Sequence, residues 1–317
     1  MPVYIFPIPL WEQCLFLFFV ILVGTALACA GALFYFRRVR MERPAVGTFN
    51  GRDVVILLFF IGVLPFVYGW LPDPVVTCVL VVTFASALYI GYRPMLGAAG
   101  IWVAIGLLIG FNIWSSDHIM GTIAGWDVWY TEQSLAVLLA SVAVVNLYVQ
   151  GGMRLRHVAW LSIGLACYDV IFALYYPLTS ELISRYITHP LTPVVGMRFG
   201  EVDYAVGLGD MLAYSLFFLV TYKAYGKRAA TVAAVVIAAF GCAGTAFAPF
   251  FFTATDVNLA IHVPAQSVFG PIAFLTYLWM KKHYGRERTM AEYLASQGGM
   301  ATERQVEQTP ATEPAPI

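Results

Sequence analysis

Val206-Gly207-Leu208-Gly209-Asp210-Met211 places a carboxylate inside an otherwise apolar segment, directly behind two glycines. An Asp at the centre of a membrane helix costs about 3 kcal/mol. A chain keeps such a group where it has a partner or a task, so the residues around it decide how the molecule is built. Of the 317 residues, 60% are hydrophobic and 11% charged, and the mean hydropathy is +0.77. A soluble globular domain does not reach these values. The charges cluster, and between the clusters lie apolar runs long enough to cross a bilayer. The expectation is an all-α polytopic membrane protein. Its zero net charge says nothing about partners, and its composition gives no reason to expect nucleic acid as one.

Nine spans can be read outward from the opening stretch: about 11–36, 53–71, 75–92, 95–114, 129–149, 158–176, 203–225, 229–252 and 259–280. Pro65 falls inside the second and is expected to kink it. Gly97, Gly100, Gly106 and Gly110 in the fourth are small residues of the kind that let helices approach closely in lipid. Residues 115–133 read as a polar, aromatic loop, and 177–202 as a connection between the sixth and seventh spans. Residues 1–296 form a single transmembrane domain in this reading, with a short amphipathic surface helix over 283–296. Residues 297–317 are polar and Pro-containing and read as a disordered cytosolic tail. The first apolar run lacks a basic leader and is longer than a signal peptide's, so it reads as a retained helix. Five cysteines (Cys14, Cys29, Cys78, Cys167, Cys242) lie in apolar stretches without a CxxC and read as small buried hydrophobes.

Alternation of the spans puts all but two of the 18 Lys and Arg on one side of the membrane, the exceptions being Arg185 and Arg198. The positive-inside rule then sets the N-terminus outside and the C-terminus in the cytosol.

Most acids lie at span ends or in loops: Glu12, Asp53, Asp73, Asp117, Asp127, Glu132, Asp203, Asp256. Asp169 and Asp210 are the two well inside a span. Counted at 1.5 Å per residue, Asp169 lies roughly 14 Å and Asp210 roughly 9 Å from the outer face. Adjacent antiparallel helices would bring both carboxylates to one level. Two carboxylates away from bulk water cannot both ionise cheaply and tend to share a proton. In that arrangement one can act as general base toward a water and the other as acid toward a carbonyl. Gly207 and Gly209 would clear side chains where the seventh helix meets the sixth and would loosen it. The rival readings are a proton or cation site in a transporter or channel, and a relative that holds membrane helices without cutting them. Asp117, His118 and Asp127 do not make a metal-site pattern, and no residue pattern calls for a metal or other cofactor.

Tyr168-Asp169 on the sixth span and Gly207-Leu208-Gly209-Asp210 on the seventh resemble the YD and GxGD motifs of the presenilin and signal peptide peptidase family of intramembrane aspartyl proteases. Pro264-Ala265-Gln266 at the ninth span is similar to that family's Pro-Ala-Leu motif, with glutamine in place of leucine and Pro271 seven residues after Pro264. The resemblance covers roughly residues 158–280. It implies a nine-helix bundle with Asp169 and Asp210 as the catalytic pair. Tyr168, Gly207, Leu208, Gly209, Pro264, Ala265 and Gln266 would support the site and the substrate. The exterior N-terminus is similar to that of signal peptide peptidases. Single-span membrane proteins or signal-peptide remnants would then be the substrates, with the bilayer as the medium. The membrane would be a prokaryotic cell membrane or a eukaryotic one of endoplasmic-reticulum type. No obligatory subunit is implied, and a homo-oligomer remains open.

Overall fold

The computed structural model describes residues 9–41, 48–120, 122–172, 182, 185–186, 189–199, 202–252 and 265–296. They form an all-α membrane protein with one small β-hairpin. In chain order the elements are α1 (Leu10–Arg38), α2 (Gly51–Trp70), α3 (Asp73–His118), α4 (Ile123–Gln150) and α5 (Leu155–Val170). The hairpin strands β1 (Val194–Phe199) and β2 (Val202–Gly207) follow. Then come α6 (Leu208–Tyr225), α7 (Lys227–Val236), a π-helical turn (Ile237–Ala243), α8 (Gly244–Phe252) and α9 (Ala265–Tyr284). A last helix, α10, covers 290–296. Among the described residues five helical stretches are long and apolar enough to cross a membrane: Trp11–Arg38, Gly51–Trp70, Asp73–His118, Gly125–Gln150 and Lys227–Ala248.

Two features differ from the sequence reading, the loop after α3 and the exposure of two cysteines. α3 itself is two helices joined across a kink at Gly97, whose φ of 69° and ψ of 174° leave the helix, in keeping with separate third and fourth spans. Glycine is the residue that takes such a φ without strain. The loop expected over 115–133 is far shorter. α3 runs on to His118, and α4 starts behind Thr122, whose hydroxyl accepts the Gly125 N–H at 3.0 Å. Asp117, Asp127 and Glu132 are therefore helical. Of the cysteines, Cys78 and Cys167 are exposed and only Cys14, Cys29 and Cys242 are buried. An apolar stretch in lipid supplies an outer face as readily as a core, so cysteines fall on both.

α6 lies at the centre, packed against α1, α4, α5, α7 and α9. Close backbone approach holds the helices together. A Cβ on Gly91 of α3 would come within 2.3 Å of the Ala143 Cβ of α4, and one on Gly270 of α9 within 2.3 Å of the Ser162 carbonyl of α5. Small residues at such crossings supply the van der Waals contact that replaces a hydrophobic driving force in lipid. Buried amides pair across the seams, as a low-dielectric interior requires. The Asn146 amide donates to the Ala32 carbonyl of α1 at 3.2 Å. Gln150 accepts from Met41 N–H at 2.9 Å and donates to the Val39 carbonyl at 3.1 Å.

The segment after α9 fastens two helix ends. The Glu287 carboxylate accepts the Leu155 and Arg156 N–H groups at 2.8 and 3.3 Å, which caps the start of α5. The Arg288 N–H and Nε both donate to the Ala224 carbonyl at the end of α6, at 3.3 and 3.0 Å. Anion at a helix start and cation at a helix end both match the helix dipole. The surface helix itself is shorter than expected, because α9 continues to Tyr284 and only 290–296 follow as helix.

Candidate active site

The seventh-span stretch folds as strand and then helix, where the sequence reading has helix from Asp203. Val202-Asp203-Tyr204-Ala205-Val206 is rich in β-branched and aromatic residues, and it pairs antiparallel with β1, Val194 opposite Gly207 and Phe199 opposite Val202. The helix starts at Leu208 with Gly207 as N-cap in extended backbone (φ −68°, ψ 150°), and Asp210 lies in its first turn. The acid thus faces the positive end of the α6 dipole instead of sitting two turns into a helix. Asp169 occupies the other kind of terminus, one residue before α5 gives way to π-helical backbone at 171–172.

α9 joins the two acids. The Gln266 main-chain N–H donates to Asp169 Oδ2 at 2.8 Å, and the Gln266 Nε2 donates to Asp210 Oδ1 at 2.6 Å. Gln266 is only 2% exposed. It is held there by Gly270, one turn further along α9. A side chain on Gly270 would strike the Ser162 carbonyl and the Ala166 Cβ of α5, three residues before Asp169. Among the described residues a Cβ at Gly209 would meet nothing within 4 Å, and one at Gly207 would lie 3.7 Å from Asp210's own carboxylate.

Tyr168 packs its ring on Phe172 at 4.6 Å between centroids, and Phe172 in turn meets Phe66 of α2 at 5.5 Å. It therefore connects the Asp169 helix to α2. Leu208 is half-buried at the head of α6, packed against the main apolar core. Ala265 is buried beside Gln266. Pro264 lies outside the described residues.

Tyr214 is a site residue that the motif reading passes over. It follows Asp210 by one helical turn and is fully buried. Its hydroxyl donates to the Gly241 carbonyl at 3.3 Å, and its ring stacks edge-on against Phe269 of α9 at 4.7 Å. Gly241 belongs to the π-helical turn, and a Cβ there would press on the Tyr214 ring at 2.9 Å. The i, i+4 spacing from Asp210 is the signal that could have found it.

The hairpin leads into the site. The Ser134 hydroxyl of α4 bonds both the N–H and the carbonyl of Gly196 at 3.1 Å, so the outer edge of β1 is covered by α4. In an antiparallel ladder, the register that turns Gly196 outward also turns its partner Ala205 outward on the opposite edge of β2. That edge runs directly to Gly207 and Asp210.

Among the described residues no group of three or more His, Cys, Asp or Glu is placed to hold a metal ion. The chemistry the site can supply is that of two carboxylates within reach of one amide. No family model matches the chain, and no curated protein is similar to it.

Proposed function

We propose that this chain is an intramembrane aspartic endopeptidase built as a nine-span bundle, with the N-terminus exoplasmic and the C-terminus cytosolic. The observation that carries the reading is the convergence of Asp169 and Asp210, from two different helices, on the N–H groups of Gln266. Water is the nucleophile. One carboxylate takes a proton from it as its oxygen bonds to the peptide carbonyl carbon, while the other, protonated, gives its proton to the carbonyl oxygen. The tetrahedral diol then collapses. The C–N bond breaks as one acid protonates the leaving nitrogen and the other carboxylate takes the proton of one diol hydroxyl, and a carboxylic acid remains. The acids gain nothing and lose nothing over the cycle, so no cofactor is needed.

The substrate is a single-span membrane protein or a signal-peptide remnant running with its N-terminus in the cytosol. A helix hides its peptide bonds, so the cut segment must unwind. Extended, it can add to the outer edge of β2 through main-chain hydrogen bonds, and this lays a peptide bond beside Asp210. Entry is lateral, past α2. Self-processing and partner subunits are not required.

The test is cleavage of a single-span substrate in liposomes by the wild type, Asp169→Ala and Asp210→Ala. Each substitution is expected to lower cleavage by at least about 10³-fold, of the order that loss of a catalytic acid or base brings. Cleavage persisting in both variants, or ion flux that needs either Asp in a protein that never cuts, would overturn the reading.

A further inference from the structure

Gln266 has three polar groups, and two of them are committed to the acids: the main-chain N–H to Asp169 and Nε2 to Asp210. The third, Oε1, is buried without a hydrogen-bond partner among the described residues. Asn146 Oδ1 is in the same state, but Gln266 Oε1 lies on the group that bonds the two acids, and there it calls for an explanation. The orientation of the amide is fixed by its neighbour, because a carboxylate oxygen accepts and the N–H side must face Asp210. Oε1 therefore points away from Asp210 yet lies on the same planar group, so a donor reaching it stands next to the reacting acids. Among the described residues α5, α6 and α9 offer Oε1 no donor, so an N–H brought by a substrate can pair with it.

We propose that Gln266 is both a positioning residue for the acid pair and a substrate-reading residue, its Oε1 accepting one main-chain N–H of the extended substrate within about two residues of the cut bond. The inference rests on the protease reading and goes further, since it assigns a recognition contact to a side chain. A main-chain N–H is present in every substrate. This contact therefore fixes the register of the strand against the acids and leaves its side chains free to vary. It also accounts for the cost of keeping an unpaired oxygen in the resting site: the oxygen is paired when substrate arrives.

The experiment uses the full chain in liposomes and synthetic single-span substrates that differ by one ester in place of one amide, stepped through the residues around the cut. An ester removes a single N–H and leaves the chain otherwise alike. The wild type is expected to lose about tenfold in kcat/KM at one position, the worth of a buried hydrogen bond. Gln266→Met, of similar length but without the oxygen, is expected to be slower on the all-amide substrate and to lose less than about twofold more at that position. Gln266→Leu serves the same comparison if the methionine variant does not fold. Equal losses in wild type and variant at every position would overturn the inference and leave the protease reading standing; that includes the case in which Oε1 holds the attacking water. A wild type that cuts not even the all-amide substrate would overturn both.

Discussion

α2 and α6 are both apolar helices of similar length, yet they live in opposite surroundings. Of the 20 residues of α2 only Val54 and Pro65 are buried, while Val55, Phe59, Phe60 and Trp70 stand exposed. Of the 18 residues of α6 twelve are buried, among them Ser215, Thr221 and Lys223. The more polar helix is the one inside. In lipid, apolar side chains gain nothing by leaving the surface, and burial follows instead from small residues that permit close approach and polar groups that need partners. Lys223 shows the second effect: its Nζ reaches the Met153 carbonyl within the protein. α2 is held mainly to α5, with Leu58 lying over Gly164 and Phe66 against Phe172.

The largest effect should come from filling a close approach on the buried side. Gly270→Leu would drive a side chain into the Ser162 carbonyl of α5, and a main-chain atom cannot swing aside. A loss of about 3 kcal/mol or more is expected, with cleavage gone because Gln266 no longer meets Asp169. Gly62→Leu on α2 meets nothing within 4 Å and should change stability by less than about 0.5 kcal/mol. Thermal unfolding in detergent compares the two. Similar midpoints for both variants would break the contrast between inner and outer helices.

Hydropathy and charge alone lead to the membrane class and to the pair Asp169 and Asp210, because an acid in an apolar run is costly enough to stand out in one sequence. They do not lead to the start of α6. Val202 to Val206 is apolar and aromatic, and over so short a run a buried strand and a helix end look the same. The pairing partner that decides for the strand lies in β1, on a stretch that reads only as a connection. Gly97 is one glycine among four in its span, and no local signal marks it as the one with positive φ. The Glu287 and Arg288 contacts are equally invisible, since they join residues more than 60 positions apart in the chain. The glutamine in Pro264-Ala265-Gln266 was legible as a departure, but its bond to Asp210 follows from the packing of α9 on α5 and α6.

A middle-sized effect is expected at the fastenings of the buried helices. Glu287→Ala frees the first N–H groups of α5, and Arg288→Ala leaves the Ala224 carbonyl near the end of α6 with the main-chain N–H alone. Loss of a cap costs about 1 kcal/mol, so each should lower the unfolding midpoint measurably and by less than Gly270→Leu. Glu287→Gln keeps an acceptor without the charge and should fall between wild type and alanine. An unchanged midpoint in all three would mean that α5 and α6 are fixed by their membrane packing alone.

The smallest change in stability belongs to the seam of α2. Leu58→Ala removes the side chain that covers Gly164, but Leu58 is only partly buried, and in lipid a lost contact can be made up by acyl chains. Stability should shift by less than about 0.5 kcal/mol. Activity is the sharper readout. If α2 is the wall a substrate passes, a looser seam should raise kcat/KM for a membrane-spanning substrate by up to about threefold, the change lying in KM. A short water-soluble peptide does not pass between helices and should be cut at the wild-type rate. A fall for both substrates would mean that α2 is a structural prop for α5, acting through Phe66, Phe172 and Tyr168 on Asp169, and the division into a rigid inner core and a movable outer helix would have to be given up.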